Sequence, residues 1–274
     1  MKKKKTIIKP QKTFSFDDIR EIWAYKDLLY YFTWRDIKVR YKQTAIGVLW
    51  ALIQPVSTMI IFSVVFGNFA KIPSDGIPYP IFVYTGLLLW QFFSSSLGAV
   101  TSCLVGNQSI ITKVYFPRLI IPLSATLTNL VDFAIASVIL IIMMFYYGYV
   151  PNLLGILILP LLVLISFLAA FGIGLFFASL NVRYRDVRYA LPFVMRIMMY
   201  VTPVIYPASM VGKYSKILAI NPMTGVIKAA RAALLGNAPI NWLLLIISTA
   251  ACMILVFFGL IYFKKTERIF ADIV

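Results

Sequence analysis

Two ionisable side chains, Asp132 and Arg196, lie inside long apolar stretches of this 274-residue chain. A charge in an apolar medium is costly, so such residues usually face a cavity, a partner or a transported group. The sequence leaves three interpretations open: the two charges pair with each other, Arg196 reaches back to a polar boundary, or Arg196 attracts an anionic headgroup. None of the three assigns the charges to catalysis.

The sequence contains few residues suited to catalysis, metal binding or nucleotide binding. The chain has no histidine, which removes the commonest metal ligand and general base. Cys103 and Cys252 lie far apart inside apolar runs, which favours neither a disulfide framework nor a thiolate metal site. The chain also lacks a G-x-x-x-x-G-K-[ST] loop for nucleotide phosphates. We therefore expect no catalytic residue, metal or cofactor on this chain, and any use of ATP requires a separate subunit.

The elements that position these residues are predicted to be membrane spans. Hydrophobic residues make up 61% of the chain and charged residues 13%, whereas soluble domains are about a quarter charged. A spanning helix needs about 20 apolar residues, and its backbone must be satisfied within the segment. The sequence predicts an all-α membrane protein with six spans, at about 49–67, 81–103, 119–147, 153–180, 190–206 and 242–263.

Lysine and arginine set the predicted orientation. Of the 26 in the chain, 20 flank the spans on one side and five on the other, so both termini are predicted to be cytoplasmic. The net charge of +16 is concentrated beside apolar runs, which argues against nucleic acid as a partner. Residues 2–5 are all lysine, but no apolar region follows them, so we expect no signal peptide.

The region before the first span, residues 1–48, is predicted to be a basic cytoplasmic tail followed by an amphipathic interfacial helix; residues 49–274 form the membrane domain. Ser15 and Asp18 have the spacing of a capping box at the start of this helix. Apolar residues of the helix share one arc, which suits the headgroup region or a cytoplasmic partner. This arc consists of Phe16, Ile19, Ile22, Trp23, Leu29 and Tyr30.

Two connecting segments carry further predictions. Residues 105–118 are too polar for a span, and a short helix there would present Tyr115 and Phe116 as a docking surface; an ordinary connector is the alternative. Residues 208–241 contain a helix predicted to start at Asn221 and Pro222 and to stop at Gly236. We expect this segment to form one or two short re-entrant helices, or alternatively a helix that lies on the outer surface of the membrane.

Several strings, taken in order, resemble ABC-2 type polysaccharide export permeases. Residues 34–44, 47–51 and 54–55 resemble the entry to the first span of that family. The family's internal loops are matched by residues 113–118 with Pro122 and by residues 181–186, and its external region by residues 202–207 and 221–225.

This resemblance implies a homodimeric permease in the bacterial inner membrane with two copies of a cytoplasmic ATP-binding subunit, which holds ATP and Mg. The implied substrate is a lipid-linked polysaccharide, typically O-antigen on undecaprenyl pyrophosphate, moved amid membrane lipid. The implied contacts to the ATP-binding subunit are Trp23, Arg35, Asn107, Lys113, Tyr115, Phe116, Pro117 and Arg118. The implied headgroup or channel residues are Tyr84, Trp90, Phe93, Arg196, Tyr200 and Tyr206, and the implied external gate comprises Pro207, Asn221, Pro222, Lys228 and Arg231.

Alternative functions remain. Teichoic acid or capsule export belongs to the same family. An ATP-independent secondary transporter would need several intramembrane acids, and Asp132 is the clear one. A membrane-embedded transferase would need a cluster of acids or histidines facing the headgroups, and the sequence has no such cluster.

Overall fold

The computed structural model describes residues 16–42, 47–151, 153–214, 218, 220–236, 238–267 and 270. The regular secondary structure of these residues is helical. We number the α-helices in chain order: α1 Phe16–Ala24, α2 Lys26–Lys42, α3 Trp50–Phe62, α4 Tyr79–Gly106, α5 Gln108–Ile111, α6 Ile120–Tyr147, α7 Leu153–Arg183, α8 Val187–Val201, α9 Pro222–Leu235 and α10 Trp242–Glu267.

Five helical segments among the described residues are long and apolar enough to cross a membrane: Gly47–Phe69, Tyr79–Gly106, Ile120–Tyr147, Gly155–Arg183 and Trp242–Glu267. They coincide with five of the six predicted spans. The remaining span, predicted at 190–206, corresponds to α8, which has only 15 residues. At about 1.5 Å per residue, α8 is roughly 22 Å long, less than the hydrocarbon core of about 30 Å.

Helix α4 is the centre of the bundle. It packs most extensively against α6 and α7, and α7 packs in turn against α10. Glycines permit the closest approach of α7 and α10, since a Cβ added at Gly172 would lie 2.5 Å from the Cα of Val256. Small residues that let two backbones approach are typical of helix contacts in membranes.

The amphipathic region differs from its prediction. It forms two helices, α1 and α2, rather than the single predicted amphipathic helix. Asp18 is buried and forms an ion pair of 2.7 Å with Lys264, which ties α1 to the end of α10. The predicted capping partner, Ser15, lies outside the described residues. Ile19 and Trp23 are exposed, so part of the apolar arc faces outward.

Helix α9 confirms its predicted start and stop. The Asn221 side chain accepts a hydrogen bond of 3.0 Å from the main-chain nitrogen of Met223, Pro222 occupies the first turn, and Gly236 has the left-handed φ of 64°. Nearly every residue of α9 is buried among α4, α7 and α10. Helix α9 therefore does not lie on the surface of the described bundle, and its re-entrant position in a membrane stays a prediction.

Candidate functional site

A stripe of small and polar residues runs along one face of α4, whose other residues are mostly buried. Its members recur every three or four positions, so they stack above one another on the helix. We call this the polar stripe, and it consists of Gln91, Ser94, Ser95, Gly98 and Ser102. Hydroxyl and amide groups in this position can hydrogen-bond a polar molecule that moves along the helix.

Three cavities open beside the polar stripe. One of about 410 Å³ lies among α3, α4 and α8, and Arg196 is on its wall. A smaller one of about 80 Å³ lies among α3, α4 and α6 and shares Gln54, Gln91 and Ser95 with the first. A third of about 400 Å³ lies among α2, α4 and α6 and includes Ser102. Together they extend along α4 from Leu87 to its C-terminal end.

Asp132 and Asn129, on α6, border the small cavity and bind residues of α2. Arg40 and Tyr41 both donate hydrogen bonds to the Asp132 carboxylate, and Arg40 also donates to Asn129 over 3.1 Å. Burial, and then the hydrogen bond to Asp132, raise the pKa of the Tyr41 hydroxyl well above its usual range, so the hydroxyl keeps its proton and remains a donor.

Arg196 is not the partner of Asp132. The charge of Asp132 is compensated by Arg40, whereas Arg196 lines the 410 Å³ cavity, whose wall has no acidic residue in the described part of the chain. The structure therefore does not form the ion pair between Asp132 and Arg196 that the sequence left open, and Asp132 instead joins α6 to α2. Arg196 shares its cavity with Trp90, another of the residues predicted for a channel.

The predicted docking segment has one exposed part and one buried part. Lys113 and Tyr115 are exposed, and Tyr115 is 74% accessible. Phe116 is only 4% accessible and packs on Phe32 of α2 with 5.8 Å between ring centroids. The prediction that Phe116 faces the cytoplasm is therefore wrong, because this ring joins the segment to the bundle.

Neighbouring contacts hold the same end together. Arg35 donates a hydrogen bond of 2.9 Å to Asn107 at the end of α4, and its guanidinium lies 4.9 Å from the centroid of the Phe32 ring. Arg118, which follows the half-buried Pro117, donates to the main-chain oxygen of Glu267 at the end of α10. The structure thus brings Arg35, Asn107 and Arg118 to one end of the molecule, where the Trp23 side chain is 74% accessible.

The aromatic residues predicted for a channel occupy different environments. Tyr84 is fully buried and donates to the main-chain oxygen of Ala136 over 2.9 Å. Trp90 and Phe93 are buried with their ring centroids 5.5 Å apart. Tyr200 is exposed on α8, and the hydroxyl of Tyr206 donates to the main-chain oxygen of Val201. The structure brings Trp90, but not Tyr84 or Phe93, to the wall of a cavity.

At the other end of the molecule, Arg231 of α9 is only 6% accessible. Its guanidinium donates to the main-chain oxygens of Phe82, Pro203 and Val204 over 3.1, 2.8 and 2.5 Å, and it lies 3.6 Å from the centroid of the Phe82 ring. Asn221 donates 2.8 Å to the Thr202 hydroxyl. The residues predicted for an external gate therefore join α9 to the segment after α8, and Pro207 and Lys228 share a cavity there.

Sequence reasoning missed the polar stripe and its partners on α2. The available signal was the spacing of Gln91, Ser95 and Ser102 inside an apolar run, which places them on one helix face. No comparable signal linked Arg40 to Asp132, because 92 positions separate them.

Sequence comparisons relate this chain to a family of known proteins. The family model described as ABC-2 type transporter matches residues 27–235. An O-antigen export system permease protein RfbA from Klebsiella pneumoniae is 32% identical over 248 residues, covering 90% of this chain and 95% of that protein. A protein of the same name from Myxococcus xanthus is 29% identical over 218 residues, covering 78% and 82%. The polysialic acid transport protein KpsM of Escherichia coli is 23% identical over 239 residues, covering 85% and 91%.

Proposed function

The chain belongs to the ABC-2 type transporter family, and on that premise we propose that it is the permease subunit of an ATP-driven polysaccharide exporter. Its likeness to O-antigen export permeases over nine-tenths of its length supports this function. The observation that carries the proposal is the polar stripe of α4 with its adjoining cavities.

A sugar chain crossing an apolar slab must keep its hydrogen bonds. Moving a hydroxyl from water into an apolar medium without a partner costs about 2–7 kcal/mol. The amide of Gln91 and the hydroxyls of Ser94, Ser95 and Ser102 offer replacement donors and acceptors along the polar stripe. Arg196 adds a positive charge on the same route, which suits an anionic group on the substrate.

We propose a six-span arrangement in the bacterial inner membrane with both termini cytoplasmic. Helix α8 is the fifth span in this arrangement, completed by the residues up to Tyr206. Its shortness suits a helix that borders a polar passage, because such a passage narrows the apolar region to be crossed. Helix α9 is the re-entrant element, since it is too short to span and is buried among longer helices.

A second copy of the chain completes the passage in this proposal. The 410 Å³ cavity is walled by α3, α4 and α8 and is open on one side. Helix α8 exposes most of its residues in the single chain and α3 exposes nearly half, including several large apolar ones such as Ile60, Ile61 and Phe193. Contact between two copies along these helices would cover the apolar residues and enclose the polar stripe.

Energy comes from a separate ATP-binding subunit, because membership of this family implies such a partner and the sequence has no phosphate-binding loop of its own. We propose two copies of it, each binding ATP and Mg, at the end of the molecule that exposes Lys113, Tyr115 and Trp23. The buried Phe116 and the bond between Arg35 and Asn107 then transmit its movement into the bundle.

The proposed substrate is a lipid-linked polysaccharide, O-antigen on undecaprenyl pyrophosphate. The relatives named for O-antigen export are 29% and 32% identical to this chain, against 23% for the polysialic acid transport protein, which favours O-antigen over polysialic acid. Teichoic acid or capsule export is the alternative within the family. An ATP-independent transporter is disfavoured because Asp132, the acid it would need for a coupling ion, is already occupied by Arg40 and Tyr41.

An export assay in a host that lacks its own permease tests the proposal. Cells given this chain and its ATP-binding partner should display the polysaccharide, and cells without the chain should accumulate lipid-linked polymer inside. Purified chain that transports without any ATP-binding subunit would refute the proposal.

The coupling surface is tested by Lys113→Ser combined with Tyr115→Ser, which leaves Phe116 in place. This variant should insert normally but bind the ATP-binding subunit weakly and export little. Tyr146→Ser is the matched control, because Tyr146 is 82% accessible near the opposite end of α6. Equal export by the two variants would contradict the assigned surface.

A further inference from the structure

A face of α9 borders two cavities that the export route does not use. Thr224, Lys228 and Arg231 lie at positions i, i+4 and i+7, so they share this face. Arg231 lines a cavity of about 210 Å³, Thr224 lines one of about 130 Å³, and Lys228 lines both. We call these the paired cavities.

The guanidinium of Arg231 donates to three neutral main-chain oxygens, but no described residue places a compensating charge at contact distance. Three main-chain oxygens and the Phe82 ring surround it, and no carboxylate lies within 4.0 Å of it among the described residues. Burying a cation without a counter-charge is expensive. The cavity beside it is therefore a favourable place for an anion.

The side chains of Lys228 and Thr224, unlike that of Arg231, form no hydrogen bond or ion pair with the described residues. Lys228 is half-buried, and no ion pair or hydrogen bond to it is formed by a described residue. The hydroxyl of Thr224 is buried and makes no hydrogen bond with the described residues, although native proteins satisfy most buried hydroxyls. An oxyanion between them would accept from both side chains.

One acid faces the same space. Asp75 lines the 210 Å³ cavity, and its carboxylate accepts a hydrogen bond of 2.9 Å from Ser209. Two cations against one acid leave the paired cavities with a net positive charge. Asp75 weakens the attraction for an anion, so removing its charge should strengthen anion binding.

We propose that the paired cavities bind a phosphate-type oxyanion, held by Lys228 and Thr224 within the field of Arg231. Two sources share this chemistry: the phosphate of a lipid headgroup and free phosphate or pyrophosphate. The site does not depend on which glycan is exported, so it can be present even if the assigned cargo is wrong.

The test is the unfolding temperature of the full-length chain in neutral detergent, followed by tryptophan fluorescence. A ligand that binds the folded state raises this temperature with concentration. The probes are inorganic pyrophosphate, farnesyl pyrophosphate and phosphatidylglycerol, with phosphatidylcholine as the zwitterionic comparison. Stabilisation by pyrophosphate itself identifies a site for the oxyanion alone, and stabilisation by the lipids alone identifies a headgroup site. Stabilisation by none of the three anions overturns the proposal.

Variants that remove a positive or a negative charge show whether the anion binds in the paired cavities. Lys228→Gln should weaken the effective probe about tenfold, because a charge-assisted hydrogen bond is lost, while Lys228→Arg should retain binding. Asp75→Asn should tighten it about threefold or more, because a repelling charge is removed. Lys71→Gln, an exposed lysine outside both cavities, is the matched control. Equal binding by Lys228→Gln and Lys71→Gln, or weaker binding by Asp75→Asn, overturns the proposal.

Discussion

Replacing Arg231 tests whether a buried guanidinium joins α9 to α4 and to the segment after α8. Arg231→Met removes three hydrogen bonds to main-chain oxygens, of which those of Pro203 and Val204 lie outside helices. Each charge-assisted bond contributes about 1.5–3 kcal/mol. Methionine fills much of the same volume, and removing a buried charge recovers part of its desolvation cost. We therefore expect a net loss of about 2–3 kcal/mol in the free energy of unfolding.

Arg231→Lys should be worse than Arg231→Met, although it is the more conservative change. A lysine ammonium lacks the planar fork that reaches three acceptors at once, so it would leave a charge buried with fewer partners. Breaking such an arrangement while retaining the charge costs about 3–5 kcal/mol. The order of the two variants is therefore a sharper prediction than either magnitude.

Denaturant unfolding of the detergent-solubilised chain, followed through its five tryptophans, measures both variants. Arg188→Met is the matched control, since Arg188 is exposed at the start of α8 and its loss should change stability by less than about 0.5 kcal/mol. The reasoning is refuted if Arg231→Met unfolds like this control, or if Arg231→Lys is the more stable of the two.

Three further predictions concern the helix contacts and the polar stripe. Gly172→Ala should lower the free energy of unfolding by about 1–3 kcal/mol because its Cβ meets the backbone of α10, whereas Gly106→Ala meets nothing within 4 Å and should be neutral; equal denaturation curves would contradict this. Arg40→Leu should destabilise the chain, and adding Asp132→Asn should partly restore its stability. A double-mutant cycle should give a coupling energy of about 1 kcal/mol because both side chains are partly exposed, and a coupling energy of zero would show that the ion pair does not contribute to stability. Gln91→Leu should slow export several-fold in reconstituted vesicles while ATP hydrolysis continues, and unchanged export would remove Gln91 from the route.

Features set by local chemistry could be predicted from the sequence. Long apolar runs predict spanning helices because lipid offers no partner to an open backbone, and five of the six spans were recovered. The start and stop of α9 were also predicted, because Asn221, Pro222 and Gly236 act through their own backbone positions. The fifth predicted span corresponds to α8, which has only 15 residues, so hydropathy alone overestimated the length of this span.

Features set by distant partners could not be predicted. Phe116 looks like an exposed aromatic in its own segment, and only the distant Phe32 ring makes it a core residue. Arg231 looks like one half of a basic helix face, yet its acceptors lie 27, 28 and 149 positions away. Helical periodicity shows which residues share a face but not what covers that face, so these roles depend on tertiary contacts.

Helix α2 is attached both to the end of α4 and to the wall of the small cavity beside the polar stripe. Arg35 bonds Asn107 at the end of α4, and Arg40 bonds Asp132 beside the small cavity of the polar stripe. These two attachments are five residues apart on one helix, or about 7.5 Å. A helical stretch of five residues bends little. A displacement of α2 where Phe32 packs on Phe116 must therefore move the wall of the cavity or break one of the two attachments. Helix α2 thus connects the segment around Tyr115, through the contact between Phe32 and Phe116, to Asp132 on the wall of the small cavity.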